Sequence, residues 1–182
     1  MADVIYYVAV STDGYIATPE GDVSWLLPFQ KPEEDYGYAD FYNSVGAILM
    51  GGNSFRQTLG FGSWPYPDKP CFVITSQAIQ QPPAPTVYGY GGNLNQLVLG
   101  LKARLEAPIW LMGGSQLASS MSRYGLIDLI VMTVVPVLLG NGLPLMSFSP
   151  FRDLFLVHYS VYPDGVMQLH YRVQPGVLEE EV

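Results

Sequence analysis

The chain has 182 residues, of which 49% are hydrophobic, and this fits one globular domain with a substantial core. Eight basic and sixteen acidic residues give a net charge of −8 at pH 7, the wrong sign for a nucleic-acid-binding surface. The single cysteine, Cys71, excludes an internal disulfide and a thiolate metal cluster, and within CFVIT it is typical of a small buried hydrophobe.

We expect a cytoplasmic protein without a targeting segment and without a membrane span. The first residues carry no basic leader, and no apolar run reaches the roughly 18 residues that a span needs. The predicted organisation is one domain over residues 1–175, followed by an acidic tail over residues 176–182 that contains Glu179, Glu180 and Glu181.

The chain begins with a predicted strand and a long loop. Residues 4–10 (VIYYVAV) are β-branched and aromatic without alternation, which is typical of a central strand covered on both faces. Residues 11–25 contain Asp13-Gly14, Pro19 and further turn signals, and long loops after central strands often contact ligands. Alternatively, this loop is a hairpin-like excursion that Trp25 anchors in the core.

The next segments are expected to alternate helices and buried strands. Proline and acids at 32–35 predict a helix that continues to about Ser44, with an apolar face at three- and four-residue spacing. Residues 47–50 (AILM) predict a strand that ends in glycines before a short helix at 55–59. A proline-rich loop over 61–70 leads to a strand at 71–75, which ends in Ser76 and Gln77, and residues 82–85 form an extended spacer.

The stretch 109–117 (IWLMGGSQL) is the most informative junction. A helix over 93–106, capped by Asn93, precedes it, and a second helix over 116–124 follows it. A strand that ends in Gly113 and Gly114 lets the backbone approach a bound group, and the N–H groups of the next helix favour an anion such as a phosphate. Alternatively, the glycine pair is only a tight turn.

The last third of the chain is predicted to be mainly β. Residues 127–139 carry Pro136 at a bulge or edge, and Pro163-Asp164-Gly165 joins strands at 151–162 and 166–173. The element order predicts an α/β fold: a mixed sheet with a parallel core, an antiparallel C-terminal hairpin and helices on both faces. Neither G-x-G-x-x-G nor a Walker loop occurs, so the expected ligand mouth lies at the carboxyl ends of four strands, at 11–13, 51–54, 76–77 and 113–116.

These motifs together resemble the dihydrofolate reductase-like family, and most closely the riboflavin-biosynthesis (RibD) C-terminal reductase domain. VAVSTDGYIA is similar to that family's first strand and S-x-D-G loop, ILMGGNSFRQT to its M-G-R-x-T-[YF] turn, and IWLMGGSQL to its G-G cofactor turn. WPYPDKPCFVITS is similar to its proline-rich loop and third strand, and LIDLIVMTVVPVLLGNGLPLM to its segment with P-[VI]-x-L-G-x-G-x-P-L-F. The resemblance covers residues 4–146 in the family's order.

The resemblance implies an oxidoreductase that takes hydride from NADPH and binds it at the strand ends. Ala9 and Ile16 would flank the nicotinamide. The pyrophosphate would lie on Gly113, Gly114, Ser115, Gln116 and Leu117, and the adenosine half would face Gly51, Gly52, Asn53, Ser54, Ser76 and Gln77. Gly52 and Gln77 stand where the family often has a basic residue, which leaves NADH as an alternative, and Arg56 and Lys69 are among the few cations available for a substrate phosphate.

Two carboxylates are the candidate catalytic residues. Asp35 precedes Gly51 by the interval of the substrate-binding carboxylate in dihydrofolate reductases, and Asp13 lies in the loop beside the expected nicotinamide. Tyr6 and Trp25 are candidates for stacking on a pterin-, pyrimidine- or riboflavin-precursor-like ring. Alternatively, Asp35 serves the helix dipole, Asp13 is a turn residue, and both aromatic rings belong to the core.

The sequence also bears on a metal site, on a deaminase activity, on dimer formation and on a non-enzymatic alternative. Two histidines without acidic neighbours at ligand spacing argue against a metal site, and missing H-x-E and P-C-x-x-C motifs exclude a zinc deaminase half. The family's members often pair, so we expect a homodimer through the C-terminal strands. The alternative to a reductase is a nucleotide-binding protein that kept the fold without the reaction.

Overall fold

β-branched and aromatic residues place strand β1 (Val4–Ser11) in the middle of an eight-stranded sheet in the computed structural model, which describes residues 1–174. The predicted acidic tail at 176–182 lies outside the described residues. The other strands of this sheet are β3 (Ala47–Gly51), β4 (Cys71–Ile74), β5 (Val87–Tyr90), β6 (Ile109–Gly113), β7 (Leu129–Val135), β9 (Leu154–Val161) and β10 (Met167–Val173). Strands β2 (Tyr15–Ala17) and β8 (Leu143–Pro144) form a separate two-stranded sheet.

The strand order is β5-β4-β3-β6-β1-β7-β10-β9. The first six strands in this order run parallel, whereas β10 pairs antiparallel with β7 and with β9. The predicted parallel core with an antiparallel C-terminal hairpin is therefore confirmed. Because β6 lies between β1 and β3, the carboxyl ends of three parallel strands are adjacent, and this is where open α/β sheets bind ligands.

Helices cover both faces of the sheet, as expected. Helices α3 (Leu94–Arg104) and α4 (Ser115–Arg123) bury Val98, Leu117 and Met121 against one face. Helices α1 (Tyr38–Ser44) and α2 (Gly52–Gly60) lie on the other, where Phe41 and Phe55 pack. A 3-10 helix spans Ser24–Phe29. In the part of the chain that the structure describes, no helix is both long enough and apolar enough to cross a membrane.

Aromatic rings fill the space between α1 and the sheet, and we call this set the α1 aromatic cluster. Trp110, 5% exposed, lies at its centre, and its ring is 5.5 Å from the rings of Phe41 and Tyr66, 6.0 Å from Tyr38 and 6.4 Å from Tyr7. The rings of Tyr7 and Phe41 stack at 4.1 Å. These contacts fix the start of α1 against β1 and β6.

Two local predictions were wrong. The helix expected from residue 32 begins only at Tyr38, because Tyr36 and Gly37 have φ angles of 55° and 77°, which interrupt a right-handed helix. The loop expected over 11–25 contains β2, which pairs with a strand more than 120 residues later. Strand β5 follows the proline spacer and was not predicted, because Gly89 weakens the strand pattern of its four residues.

Candidate functional site

Two glycine junctions meet at the carboxyl ends of β3 and β6. A Cβ atom added to Gly51 would lie 3.7 Å from both the carbonyl oxygen of Gly113 and the nitrogen of Gly114, and one added to Gly114 would lie 3.4 Å from Oγ of Ser54. The Gly113-Gly114 peptide bond is cis. Helices α2 and α4 both begin here, so the first backbone N–H groups of two helices lie next to a junction formed by three glycines.

The ring of Tyr6 packs against Gly113 in this junction. Gly113 has a φ of 111°, and a Cβ on it would lie 3.5 Å from Cε2 of Tyr6. The Tyr6 side chain is fully buried, and its hydroxyl group donates a 2.9 Å hydrogen bond to the carbonyl of Leu145. Burial raises the pKa of Tyr6 well above its usual value. The structure therefore places Tyr6 beneath the turn, where its ring has no exposed surface for stacking.

Asp13 ties the loop after β1 to the turn at residues 139–140. Its Oδ1 accepts hydrogen bonds from Oγ of Ser11 at 2.7 Å and from the nitrogen of Leu139 at 3.1 Å, and its Oδ2 accepts one from the nitrogen of Gly140 at 2.7 Å. The pKa of Asp13 is lowered, mainly by the hydrogen bond from the hydroxyl of Ser11 and to a smaller extent by the bonds from the two backbone N–H groups. Asp13 is therefore a carboxylate at neutral pH and positions the loop.

The residues expected to flank the nicotinamide, and Trp25, expected to stack on the substrate ring, lie in or next to the segment after β1. Ala9 lies in β1 and Ile16 in β2, and both are partly exposed, while β2 contacts β1. Trp25 lies in the 3-10 helix, and its Nε1 is buried without a hydrogen-bond partner among the described residues. A buried donor without a partner is uncommon, and this makes the indole N–H a candidate ligand contact.

Asp35 uses both carboxylate oxygens at the start of α1. Oδ1 accepts a 2.9 Å hydrogen bond from the nitrogen of Gly37, and Oδ2 accepts one of the same length from the nitrogen of Ala39. The residue is exposed, and its negative charge contributes to a raised pKa of Tyr7, whose main cause is burial. Asp35 therefore bonds to the start of α1, whereas Asp13 bonds to the turn at residues 139–140. These contacts of Asp35 match the alternative in which it serves the start of a helix.

A hydrogen-bond network that sequence reasoning missed lies beside α1. The side-chain nitrogen of Gln168, a buried residue, is 3.2 Å from the hydroxyl of Tyr7, 3.0 Å from the carbonyl of Tyr36 and 3.1 Å from Oγ1 of Thr133. The hydroxyl of Tyr36 in turn donates to Asp164 in the C-terminal hairpin turn. No sequence signal links these residues, because only the sheet topology places β7 between β1 and β10.

Asp164 also pairs with Lys31 at 2.9 Å. The Tyr36 hydroxyl and then Lys31 lower the pKa of Asp164 to about 2. The two predicted non-ligand histidines lie in the same hairpin, where the ring centroids of His158 and His170 are 5.1 Å apart. Among residues 1–174, no three His, Cys, Asp or Glu side chains form a group that could hold a metal ion.

A cavity of about 250 Å³ lies between the start of α2 and the carboxyl end of β4, and we call it the α2–β4 cavity. Gly52, Arg56, Thr75 and Gln77 line it together with apolar residues. Ser76 is exposed on the same loop. Arg56 was outside the cofactor set expected from the sequence, although it follows Gly52 by one helical turn and therefore lies on the same helix face.

A second cavity of about 360 Å³ lies next to the C-terminal end of α4 and is lined in part by the segment at residues 144–154. Two serine pairs hold this segment on α4. Ser115 and Ser147 hydroxyls are 2.8 Å apart, and Ser122 and Ser149 hydroxyls are 2.6 Å apart. The pairs fix the helix that begins at the Gly113-Gly114 turn, so the position of this turn depends on residues 144–150.

Comparison with known proteins gives a consistent assignment. The family model described as the RibD C-terminal domain matches residues 2–168. The uncharacterized protein YwjB of Bacillus subtilis (strain 168) is 33% identical over 172 residues, covering 92% of this chain and 95% of that protein.

Two solved structures are similar in fold. A putative riboflavin biosynthesis protein from Shewanella sp. PV-4 superposes with a TM-score of 0.85 and 29% identity, over 96% of this chain and 100% of that one. Dihydrofolate reductase from Enterococcus faecalis, complexed with NADP(H), superposes with a TM-score of 0.66 and 16% identity, over 95% and 97% of the two chains. The latter likeness shows the fold alone.

Proposed function

Because this chain belongs to the RibD C-terminal domain family, we propose that it is an oxidoreductase that binds NADPH and passes hydride to a pterin-, pyrimidine- or riboflavin-precursor-like heterocycle. The observation that carries the proposal is the contact between the two glycine junctions, Gly51 against Gly113 and Gly114. A junction of three glycines, beside two helix N-termini, lets the backbone approach a ligand closely and fits the phosphates of a dinucleotide.

In this proposal, separate segments bind the pyrophosphate and the nicotinamide of the cofactor. Residues 113–117 hold the pyrophosphate through backbone N–H groups, and Ala9 and Ile16 flank the nicotinamide. When bound, the dinucleotide supplies the hydride, while the protein supplies binding, orientation and exclusion of water. Asp13 keeps the loop of residues 11–17 beside this position through its three hydrogen bonds, and as an ionised group it does not donate a proton at neutral pH.

We propose that Asp35 binds the N–H edge of the heterocycle. Each carboxylate oxygen has two lone-pair directions, so Asp35 can accept a second hydrogen bond at each oxygen while it caps α1. The residue is exposed on the side of the sheet that carries the α1 aromatic cluster, where the Tyr38 ring, 36% exposed, is available for stacking.

A titration with NADPH and separately with NADH, followed by quenching of tryptophan fluorescence, tests the proposal. Gly51→Val fills the junction while keeping an ordinary backbone conformation, since Gly51 has φ −76° and ψ 158°. Gly60→Val, at the far end of α2, is the matched control, because no heavy atom of the described part of the chain lies within 4 Å of a Cβ added there. Wild type and control are expected to bind, and Gly51→Val to bind at least tenfold more weakly, an energy of about 1.4 kcal/mol.

A second candidate function is dinucleotide binding without reduction. Gly52 in place of an arginine and the engagement of Asp35 at a helix start favour this alternative. It predicts cofactor binding with no loss of reduced-cofactor absorbance in the presence of any pterin or pyrimidine. Binding of neither cofactor by the wild-type protein would rule out both functions.

We also propose that two copies pair through β9. This strand is one of the two edge strands of the eight-stranded sheet, and its exposed apolar residues include Phe155 (63%), Tyr159 (62%) and Val161 (64%). Its sequence, LFLVHYSV, carries no acidic or basic side chain apart from one histidine. Two copies of a chain with net charge −8 repel each other, so an uncharged edge is the surface on which they meet at least cost.

A further inference from the structure

We infer that Arg56 selects NADPH over NADH, because its guanidinium group occupies the space beside Gly52 in the α2–β4 cavity and can bind a phosphate on the adenosine ribose. This inference rests on the proposed dinucleotide cofactor and concerns one end of it. The sequence suggested a missing cation at Gly52, and the structure supplies a cation from one helical turn later.

The geometry shows how the two positions are linked. A Cβ atom added to Gly52 would lie 3.4 Å from Nη1 of Arg56 and 3.3 Å from Oγ1 of Thr75. The Arg56 side chain therefore folds back toward the first turn of its own helix, where N–H groups of residues 52–54 lack intrahelical partners. A larger side chain at position 52 would compete with Arg56 for this space.

The guanidinium group keeps its charge available for a ligand. Its partners are the side-chain oxygens of two amides, Asn53 and Gln77, the latter at 3.4 Å. By contrast, Lys31, Lys102 and Arg172 each pair with an aspartate. No acidic residue among those that the structure describes lines the α2–β4 cavity, although the chain as a whole carries a net charge of −8.

The cavity offers a second feature that suits an adenine nucleotide. Leu59, Val73 and Ile79 form an apolar wall in the same cavity of about 250 Å³, next to the cation and the hydroxyl of Thr75. An apolar wall favours a flat base, and a guanidinium beside a helix N-terminus favours a phosphate monoester. The apolar wall and the guanidinium group together match an adenine nucleotide that carries a phosphate on its ribose.

The test compares Arg56→Gln with Arg104→Gln, an exposed arginine in the last turn of α3, in titrations with NADPH, NADH and adenosine 2′,5′-bisphosphate. In Arg56→Gln, the Kd for NADPH and for the bisphosphate is expected to rise roughly tenfold to hundredfold. This is the range expected when a hydrogen bond between charged groups is lost. The Kd for NADH is expected to change less than about twofold, and Arg104→Gln to match wild type for all three ligands.

A double variant provides the rescue. Gly52→Arg combined with Arg56→Gln moves the cation back by one turn, so it is expected to regain most of the NADPH affinity that Arg56→Gln loses. Circular dichroism and a denaturation curve show whether each variant is folded before its Kd is interpreted.

The outcomes separate this inference from the proposed function. An equal loss for NADPH and NADH in Arg56→Gln, or no loss for either, overturns the inference and leaves the reductase proposal in place. If wild type binds neither dinucleotide, the reductase proposal fails, and the bisphosphate titration decides the phosphate site by itself. Failure of the bisphosphate to bind wild type overturns the inference as well.

Discussion

The hydroxyl group of Tyr6 in β1 reaches the backbone carbonyl of Leu145, 139 residues later, through a 2.9 Å hydrogen bond. We expect Tyr6→Phe to lower the free energy of unfolding by about 1–2 kcal/mol, because the partly buried carbonyl of Leu145 loses its donor. Urea denaturation measures this. Tyr124→Phe, at a residue 57% exposed, is the control and should change little. Equal losses in the two variants would contradict the importance of the Tyr6 bond.

Asp35→Asn separates the two roles of this carboxylate. Asparagine keeps one acceptor oxygen but replaces the other with an NH2 donor, so one of the bonds to Gly37 and Ala39 is lost, and we expect the free energy of unfolding to fall by only about 1 kcal/mol. The negative charge is lost, so kcat/KM for the heterocyclic substrate should fall by about tenfold or more. Asp40→Asn on the first turn of α1 is the control and should keep full activity. An unchanged kcat/KM in Asp35→Asn would leave Asp35 as a helix cap only.

The lowered pKa of Asp164 makes the free energy of unfolding depend on pH. Its pKa is about 2 in the folded protein against 3.8 for the free side chain, so its stabilising effect is complete above pH 3.8. The effect is lost as the pH falls from 3.8 toward 2, because the folded state then binds the proton less readily than the unfolded state. The stability gap between wild type and Asp164→Asn should therefore narrow over this range in denaturation curves. A gap that stays constant would show that Tyr36 and Lys31 do not hold the carboxylate.

Phe155→Glu tests pairing through β9. Phe155 is 63% exposed on the edge strand, and a two-fold contact would bring two introduced glutamates close together. We expect wild type to elute with the mass of a dimer in light scattering and Phe155→Glu with that of a monomer. Phe61→Glu, at a residue 69% exposed just after α2, should remain dimeric. A monomeric wild type would refute the pairing.

Local sequence signals predicted most of the fold. Asn93 accepts the hydrogen bond of Gln96 N at 3.0 Å, as expected of a helix cap, and the prolines and glycines mark the ends of most elements. Cys71 is fully buried, as its apolar run indicates. These features depend on neighbours within a few residues, which the sequence displays directly.

Features that depend on backbone conformation and side-chain direction, and not on composition, were not predictable. The acids at residues 33–35 have the composition of a helix start, but the helix begins later because Asp35 accepts from Gly37 and Ala39 and Tyr36 adopts a left-handed conformation. The strand ends were correctly placed together around Gly51 and Gly113. The position of Arg56 required the side-chain direction on α2, which no motif encodes.

The α1 aromatic cluster gives the protein an optical reporter of its own. Trp110 is surrounded by Tyr7, Tyr38, Phe41 and Tyr66, with all four ring centroids within 6.4 Å. Rings fixed in one asymmetric arrangement give a near-ultraviolet circular dichroism signal that disappears when side-chain packing is lost. A molecule that inserts between α1 and the sheet must move these rings, so its arrival can be followed spectroscopically without any attached dye.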